Sequence, residues 1–131
     1  KLKYIDQFNL MRAKLASIYD ANLKEHEDIM LPNKNKNAFH IYHQYTINSK
    51  KRNKIKEELE KNNIGSAIYY PISLEKQKAY KDVHNDADEY ANSNYLSNTC
   101  LSLPMYPQLS EKDVIKVCEV LKRIKWVKLK K

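Results

Sequence analysis

His43-Gln44-Tyr45-Thr46-Ile47, Tyr69-Tyr70-Pro71-Ile72-Ser73-Leu74-Glu75-Lys76-Gln77 and Leu101-Ser102-Leu103-Pro104-Met105-Tyr106-Pro107 are three blocks whose reading decides the fold. Aromatic and β-branched residues are dense from Phe39 to Asn48, which predicts a strand buried on at least one face. Ser66 to Tyr70 and Cys100 to Leu103 predict two more short strands. Each is closed by proline, which fixes φ and cannot donate to a ladder. Successive strand residues face opposite ways, so His43 and Tyr45 are expected on one face and Gln44 on the other.

Outward from these blocks the pattern turns helical. Leu2, Ile5, Phe8, Met11, Leu15, Ile18, Tyr19 and Leu23 recur at three- and four-residue spacing, predicting a long amphipathic helix over 2–24. Glu25 to Ala38 reads as an exposed connector. Lys51 to Asn62 predicts a helix, with Gly65 placed for the left-handed turn after its end. Lys76 to Lys81 and Ala87 to Leu96 read as short helical pieces. Ser110-Glu111-Lys112-Asp113 resembles a capping box that launches a last helix carrying Val114, Val117, Cys118, Leu121 and Ile124 on one face. The fold class expected is α+β: a small, antiparallel sheet covered on one face by helices.

Composition excludes more than it proposes. One domain is expected from 131 residues. Gly65 is the sole glycine, against a usual content of about 7%, so no glycine-rich phosphate cradle can exist. The same scarcity rules out a nucleophile elbow. A net charge of +8 invites a basic nucleic-acid-binding domain, but Arg12, Arg52 and Arg123 are the only arginines. The lysines are interleaved with acids, as on a solvated face. Cys100 and Cys118 are too few for a disulfide framework and read as reduced thiols of a cytoplasmic protein. No run approaches the roughly 18 apolar residues of a membrane span, and no signal peptide is expected after Lys1.

Taken singly, the chemistry-bearing residues have bland explanations. His40 and His43 point apart on a strand and make no metal pair. His84, Asp86, Asp88 and Glu89 read as a solvated turn, because a calcium loop needs a glycine at its sharp bend. Glu57, Glu58 and Glu60 read as surface partners of lysines. Tyr69 and Tyr70 can present hydroxyls to a ligand or anchor the turn. Residues alone give an α+β domain that is not self-sufficient for catalysis.

The order of the blocks carries a resemblance. His-Gln-Tyr is followed by Arg52 opening a helix, Asn-Ile-Gly at 63–65, Tyr-Tyr-Pro-Ile with Gln77 behind it, and Leu-Ser-Leu-Pro-Met-Tyr-Pro before a capped helix. Together they resemble the small C-terminal domain of the DegT/DnrJ/EryC1/StrS family of pyridoxal-phosphate-dependent sugar aminotransferases, a fold-type I architecture. The resemblance implies that residues 1–131 are that small domain, beginning within the interdomain helix, with the large cofactor-binding domain absent. It implies a parent enzyme, a homodimer, that moves an amino group from an amino acid, glutamate in the common case, to a nucleotide-linked keto-sugar in polysaccharide or cell-surface glycan biosynthesis. His43, Gln44, Tyr45 and Tyr70 are then expected on the sugar-nucleotide side. No catalytic, cofactor-binding or metal-binding residue is expected in this chain. No membrane or nucleic-acid partner is expected either.

Within the run that the family usually writes Tyr-Tyr-Pro-x-Pro-Leu-His, two positions depart from the pattern, and a third departure lies at Asn53. Ser73 stands for the second proline and Glu75 for the histidine, reversing the local charge, so the histidine's contacts are not carried to Glu75. Asn53 stands where an aspartate commonly follows the arginine. Against the enzyme reading stand a stand-alone binding or regulatory module and the basic nucleic-acid binder, whose affinity would fall steeply with salt.

Overall fold

The sheet is small and its two faces differ. A computed structural model describes residues 2–80 and 90–124, and the acidic group at 84–89 lies outside them. The elements run α1 (Ile5–Leu23), β1 (Tyr45–Asn48), α2 (Arg52–Lys61), α3 (Ala91–Thr99), β2 (Cys100–Leu103) and α4 (Glu111–Arg123), with 3-10 turns at Leu2–Tyr4, Leu74–Lys76 and Lys78–Tyr80. The α+β class is as expected.

β1 and β2 pair antiparallel, Tyr45 opposite Leu103 and Asn48 opposite Cys100. Residues opposite one another share a face, so Tyr45, Ile47, Leu101 and Leu103 point together into the core. There they meet Leu15, Tyr19 and Leu23 of α1 and Val114, Cys118 and Leu121 of α4. Single bridges extend the ladder outward. Met30 exchanges both backbone bonds with Asn48, and Ala67 does so with Ser102. The expected exposed connector therefore supplies an edge: Ile29 is buried and Met30 is paired.

Two expected strands are shorter than the pattern promised. Tyr42 adopts φ 48°, the left-handed region, and its N–H donates to His40 Nδ1 at 2.9 Å instead of to a neighbour. The strand expected from Phe39 consequently starts only at Tyr45. The Ser66–Tyr70 strand shrinks to the bridge at Ala67. Of the other expected helical pieces, α3 spans Ala91–Thr99, 3-10 turns form at Leu74–Lys76 and Lys78–Tyr80, and 81–89 lie outside the described residues.

Helix ends show how local chemistry sets boundaries. After α2 the left-handed residue is Asn63 (φ 56°), not Gly65 as the pattern predicted. Asparagine tolerates this conformation, and the backbone closes on it: Asn63 N–H donates to Glu60 O and Ile64 N–H to Leu59 O, each at 2.9 Å. Leu59 and Ile64 are both buried, completing the apolar contact that accompanies such a cap. At α4, Ser110 Oγ accepts the Asp113 N–H at 3.1 Å and donates to the Asp113 carboxylate at 2.6 Å. That is the expected cap, with the acid engaging the hydroxyl.

Burial sets the response to alkali. Burial pushes the Cys118 thiol from its ordinary 9.0 up to about 11. Burial also raises Tyr19 and, with its hydrogen bond to Asp20, Tyr45. The folded chain keeps protons that the unfolded chain releases, so their contribution is complete below pH 9 and falls as pH rises. Urea denaturation under reducing conditions should show stability declining from pH 9 to 10 by up to about 1.4 kcal/mol from the thiol alone. Cys118→Ala should flatten that slope whatever its baseline stability; an equally steep slope in the variant would contradict the assignment.

Candidate functional site

The face of the sheet turned away from α1 and α4 is open. Strand alternation puts Thr46, Asn48, Cys100 and Ser102 on it, and the hydroxyls of Thr46 and Ser102 meet across the strands at 2.7 Å. Above this floor lies a cavity of about 630 Å³. Its walls are Gln44 from the entry to β1, Tyr69, Tyr70, Ile72, Ser73, Leu74, Glu75 and Gln77 from the proline-punctuated block, and Tyr90, Ser93, Leu96 and Ser97 at and along α3. A smaller cavity of about 310 Å³ adjoins it and is lined by His43, Gly65 and the Pro104–Tyr106 turn. Gln44, Tyr69 and Ser102 belong to both, so the two form one continuous concave surface.

Each wall is held by the fold. Tyr19 Oη donates to Pro104 O at 2.9 Å, tying α1 to the end of β2. Arg52 opens α2 and donates to Ser97 O at 2.5 Å, which fastens α3 beside the sheet. Asn48 Oδ1 accepts from the Cys100 thiol at 3.0 Å and from Thr99 Oγ1 at 3.3 Å. Burial raises the pKa of Cys100, and the nearby Arg52 charge opposes that rise.

The four residues singled out on sequence part company here. Gln44, Tyr70 and His43 reach the cavities, Tyr70 with 80% of its surface exposed. Tyr45 does not: it is wholly buried, its ring stacked on Tyr19 at 4.6 Å. Its hydroxyl donates to Asp20 Oδ1 at 2.6 Å, and the second Asp20 oxygen pairs with Lys34 at 2.6 Å. The hydrogen bond to Asp20 is the chief cause of the raised Lys34 pKa. The expectation that His43 and Tyr45 share a face is therefore corrected. The left-handed turn at Tyr42 breaks the alternation before the strand begins, so His43 is exposed while Tyr45 enters the core.

Several cavity residues carried no warning in the sequence. Thr46 and Ser102 follow from strand parity only once the β1–β2 register is known. Tyr90, Ser93 and Ser97 follow from a helix whose residues are mostly polar. Glu75 did stand out, as the carboxylate where the resembled family places histidine.

What the surface can hold is limited by its charge. The larger cavity presents tyrosine rings, aliphatic side chains, amides and hydroxyls, and among its described lining residues Glu75 is the sole charged one. Among the described lining residues there is no lysine that could bond an aldehyde and no cation that could face a phosphate. Among the described residues no group of three or more His, Cys, Asp and Glu side chains could hold a metal ion. No described helix is long and apolar enough to cross a membrane. The arrangement suits an uncharged, hydrogen-bonding ligand lying against aromatic rings.

Comparison with known proteins gives this surface a context. The model of the DegT/DnrJ/EryC1/StrS aminotransferase family matches residues 1–122. The chain is 34% identical over 96 residues to the UDP-N-acetyl-3-dehydro-alpha-D-glucosamine 3-aminotransferase of Acidithiobacillus ferrooxidans, covering 73% of this chain and 26% of that protein. It is 31% identical over 124 residues to the UDP-2-acetamido-2-deoxy-3-oxo-D-glucuronate aminotransferase of Pseudomonas aeruginosa, covering 92% and 33%. A solved DegT DnrJ EryC1 StrS aminotransferase from Brucella abortus superposes with a TM-score of 0.84 at 31% identity, over 92% of this chain and 32% of that one. The chain thus spans about a third of the length of the proteins it matches.

The placement of these residues separates scaffold from surface. Tyr45→Phe removes a hydrogen bond to the half-buried Asp20 carboxylate and should lower unfolding stability by about 2 kcal/mol in chemical denaturation. His43→Ala and Gln44→Ala should each stay within about 0.5 kcal/mol of the parent. The reverse ranking would mean that Tyr45 is not a core residue.

Proposed function

From the premise that the chain belongs to the DegT/DnrJ/EryC1/StrS aminotransferase family, we propose that it is the small C-terminal domain of a pyridoxal-phosphate-dependent sugar aminotransferase. The parent enzyme takes an amino group from an amino acid, glutamate being the first candidate, and delivers it to a keto-sugar carried on a nucleotide. Polysaccharide or cell-surface glycan biosynthesis is the setting such a product suits. The domain's share of the work is to present the open face of the sheet to the sugar-nucleotide.

One observation carries this reading: a concave surface rich in tyrosines, amides and hydroxyls, lacking any lysine or arginine among its described lining residues. Such a wall can orient a polyhydroxylated ring by hydrogen bonds and ring contacts, and it leaves the electron-sink chemistry to a group held elsewhere. Gln44 stands at the junction of both cavities with an amide that donates and accepts, while Tyr69 and Tyr70 frame the approach. The cofactor and its lysine accordingly belong to the remaining two thirds of the parent, and the parent is proposed to work as a homodimer. The two named relatives act on sugars differing in charge, an acetylated glucosamine and a glucuronate, so family membership does not choose between those classes.

The intact gene product should aminate a UDP-linked 3-keto-sugar with glutamate and pyridoxal phosphate, read by mass spectrometry of the aminosugar. Residues 1–131 alone should give neither product nor a lysine-dependent absorbance of bound cofactor. His43→Ala and Gln44→Ala in the intact protein should raise KM for the sugar without loss of cofactor loading. Turnover by residues 1–131 alone, or cofactor loss in the His43 and Gln44 variants, would contradict the division of labour.

A further inference from the structure

One rung of the sheet's open face carries two hydroxyls and a methyl group. Thr46 of β1 stands opposite Ser102 of β2, and Ser102 is bridged on its other side to Ala67. Residues opposite one another across strands share a face, so the three side chains together floor the larger cavity, which all of them line. Thr46 Oγ1 and Ser102 Oγ lie 2.7 Å apart, and Ser102 is buried, with 5% of its surface exposed. Two hydroxyls carry two protons, and the bond between them uses one. Either oxygen can be the donor, so the proton left over sits on Ser102 in one arrangement and on Thr46 in the other. Neither hydroxyl has a second partner among the described residues, and the Ala67 side chain brings no acceptor.

We infer that the Thr46–Ser102 pair reads the oxygenation of the sugar: it selects a ring that places an oxygen over the pair against one deoxygenated at that position. The inference rests on the proposed nucleotide-sugar reading and deepens it to a class of sugar. Solvent filling the cavity accepts the spare proton. A ring that enters displaces this water and has to accept the proton in its place, through a lone pair of a hydroxyl or a carbonyl. A ring bearing only hydrogen there leaves a donor buried without an acceptor, which costs more than the bond itself is worth. Sites built to bond a substrate hydroxyl reject the analogue lacking it for this reason. The bond within the pair survives whichever proton is given, so the floor serves an oxygen lying above either strand.

UDP-glucose and its 2-, 3-, 4- and 6-deoxy analogues differ by one oxygen each and are the probes. Calorimetric titration of the intact gene product should give, for at least one analogue, a Kd roughly tenfold or more above that of UDP-glucose. Thr46→Val combined with Ser102→Ala removes both hydroxyls, and with them the buried donor. It should bring that analogue within about threefold of UDP-glucose. Thr46→Val alone keeps the shape and leaves Ser102 with its proton, so most of the discrimination should remain. Melting curves verify that each variant is folded. Analogues that all bind as UDP-glucose does, a discrimination that survives the double substitution, or one that Thr46→Val alone abolishes would overturn the inference while the nucleotide-sugar reading stands. Binding of neither UDP-glucose nor UDP would overturn both.

Discussion

The antiparallel pairing of β1 with β2 is the constraint from which the other features follow. Eight residues in strict register force alternate side chains to opposite faces, and a shift of one residue would exchange the faces entirely. Tyr45, Ile47, Leu101 and Leu103 must then be covered, and α1 and α4 cover them. Thr46, Ser102 and Cys100 must be left for something else. The candidate site is the uncovered side of the same four-residue ladder that builds the core.

Tyrosine handles the consequences on the covered side. A buried hydroxyl costs free energy unless it is bonded, and Tyr19 and Tyr45 answer that demand in a way that also fixes geometry. Tyr19 binds Pro104 O and thereby aims the turn that walls the smaller cavity. Tyr45 binds Asp20, whose charge is balanced by Lys34 from the connector. Both hydrogen bonds sit at the same end of the ladder, where Tyr45 pairs with Leu103 beside Pro104. Among the described residues lining the larger cavity Glu75 is the charged one, and the buried Ser73 hydroxyl lies 2.5 Å from its half-buried carboxylate.

Much of this was legible in the residues, and the failures share a cause. The periodicity of α4 and the Ser110 cap could be read directly, because both are local. The class and the antiparallel sheet followed from strand blocks closed by proline. The extent of the first strand was misjudged because aromatic density promises a strand, while a single left-handed residue at Tyr42 ends one. Gly65 was preferred to Asn63 because glycine's freedom is visible in a sequence, whereas the two backbone bonds closing on Asn63 are not. Of the site residues, Gln44 and Tyr70 could be named in advance, but Tyr45 was misplaced along with the alternation. Thr46 meets Ser102 at a separation of 56 residues, and no local pattern announces such a partner. Glu75 was visible as an oddity, yet its bond to Ser73 required coordinates.

The central claim is that one face of this sheet is sealed core and the other is ligand surface, and each face has a cysteine beside it. Cys118 is fully buried among the helices, while Cys100 lines the larger cavity. Mass-spectrometric mapping of N-ethylmaleimide labelling on native residues 1–131, with and without denaturant, tests the division at both sites at once. The account predicts that Cys100 is modified in the native state and that Cys118 is modified only on unfolding. Labelling of Cys118 as fast as Cys100 in the native chain would contradict it.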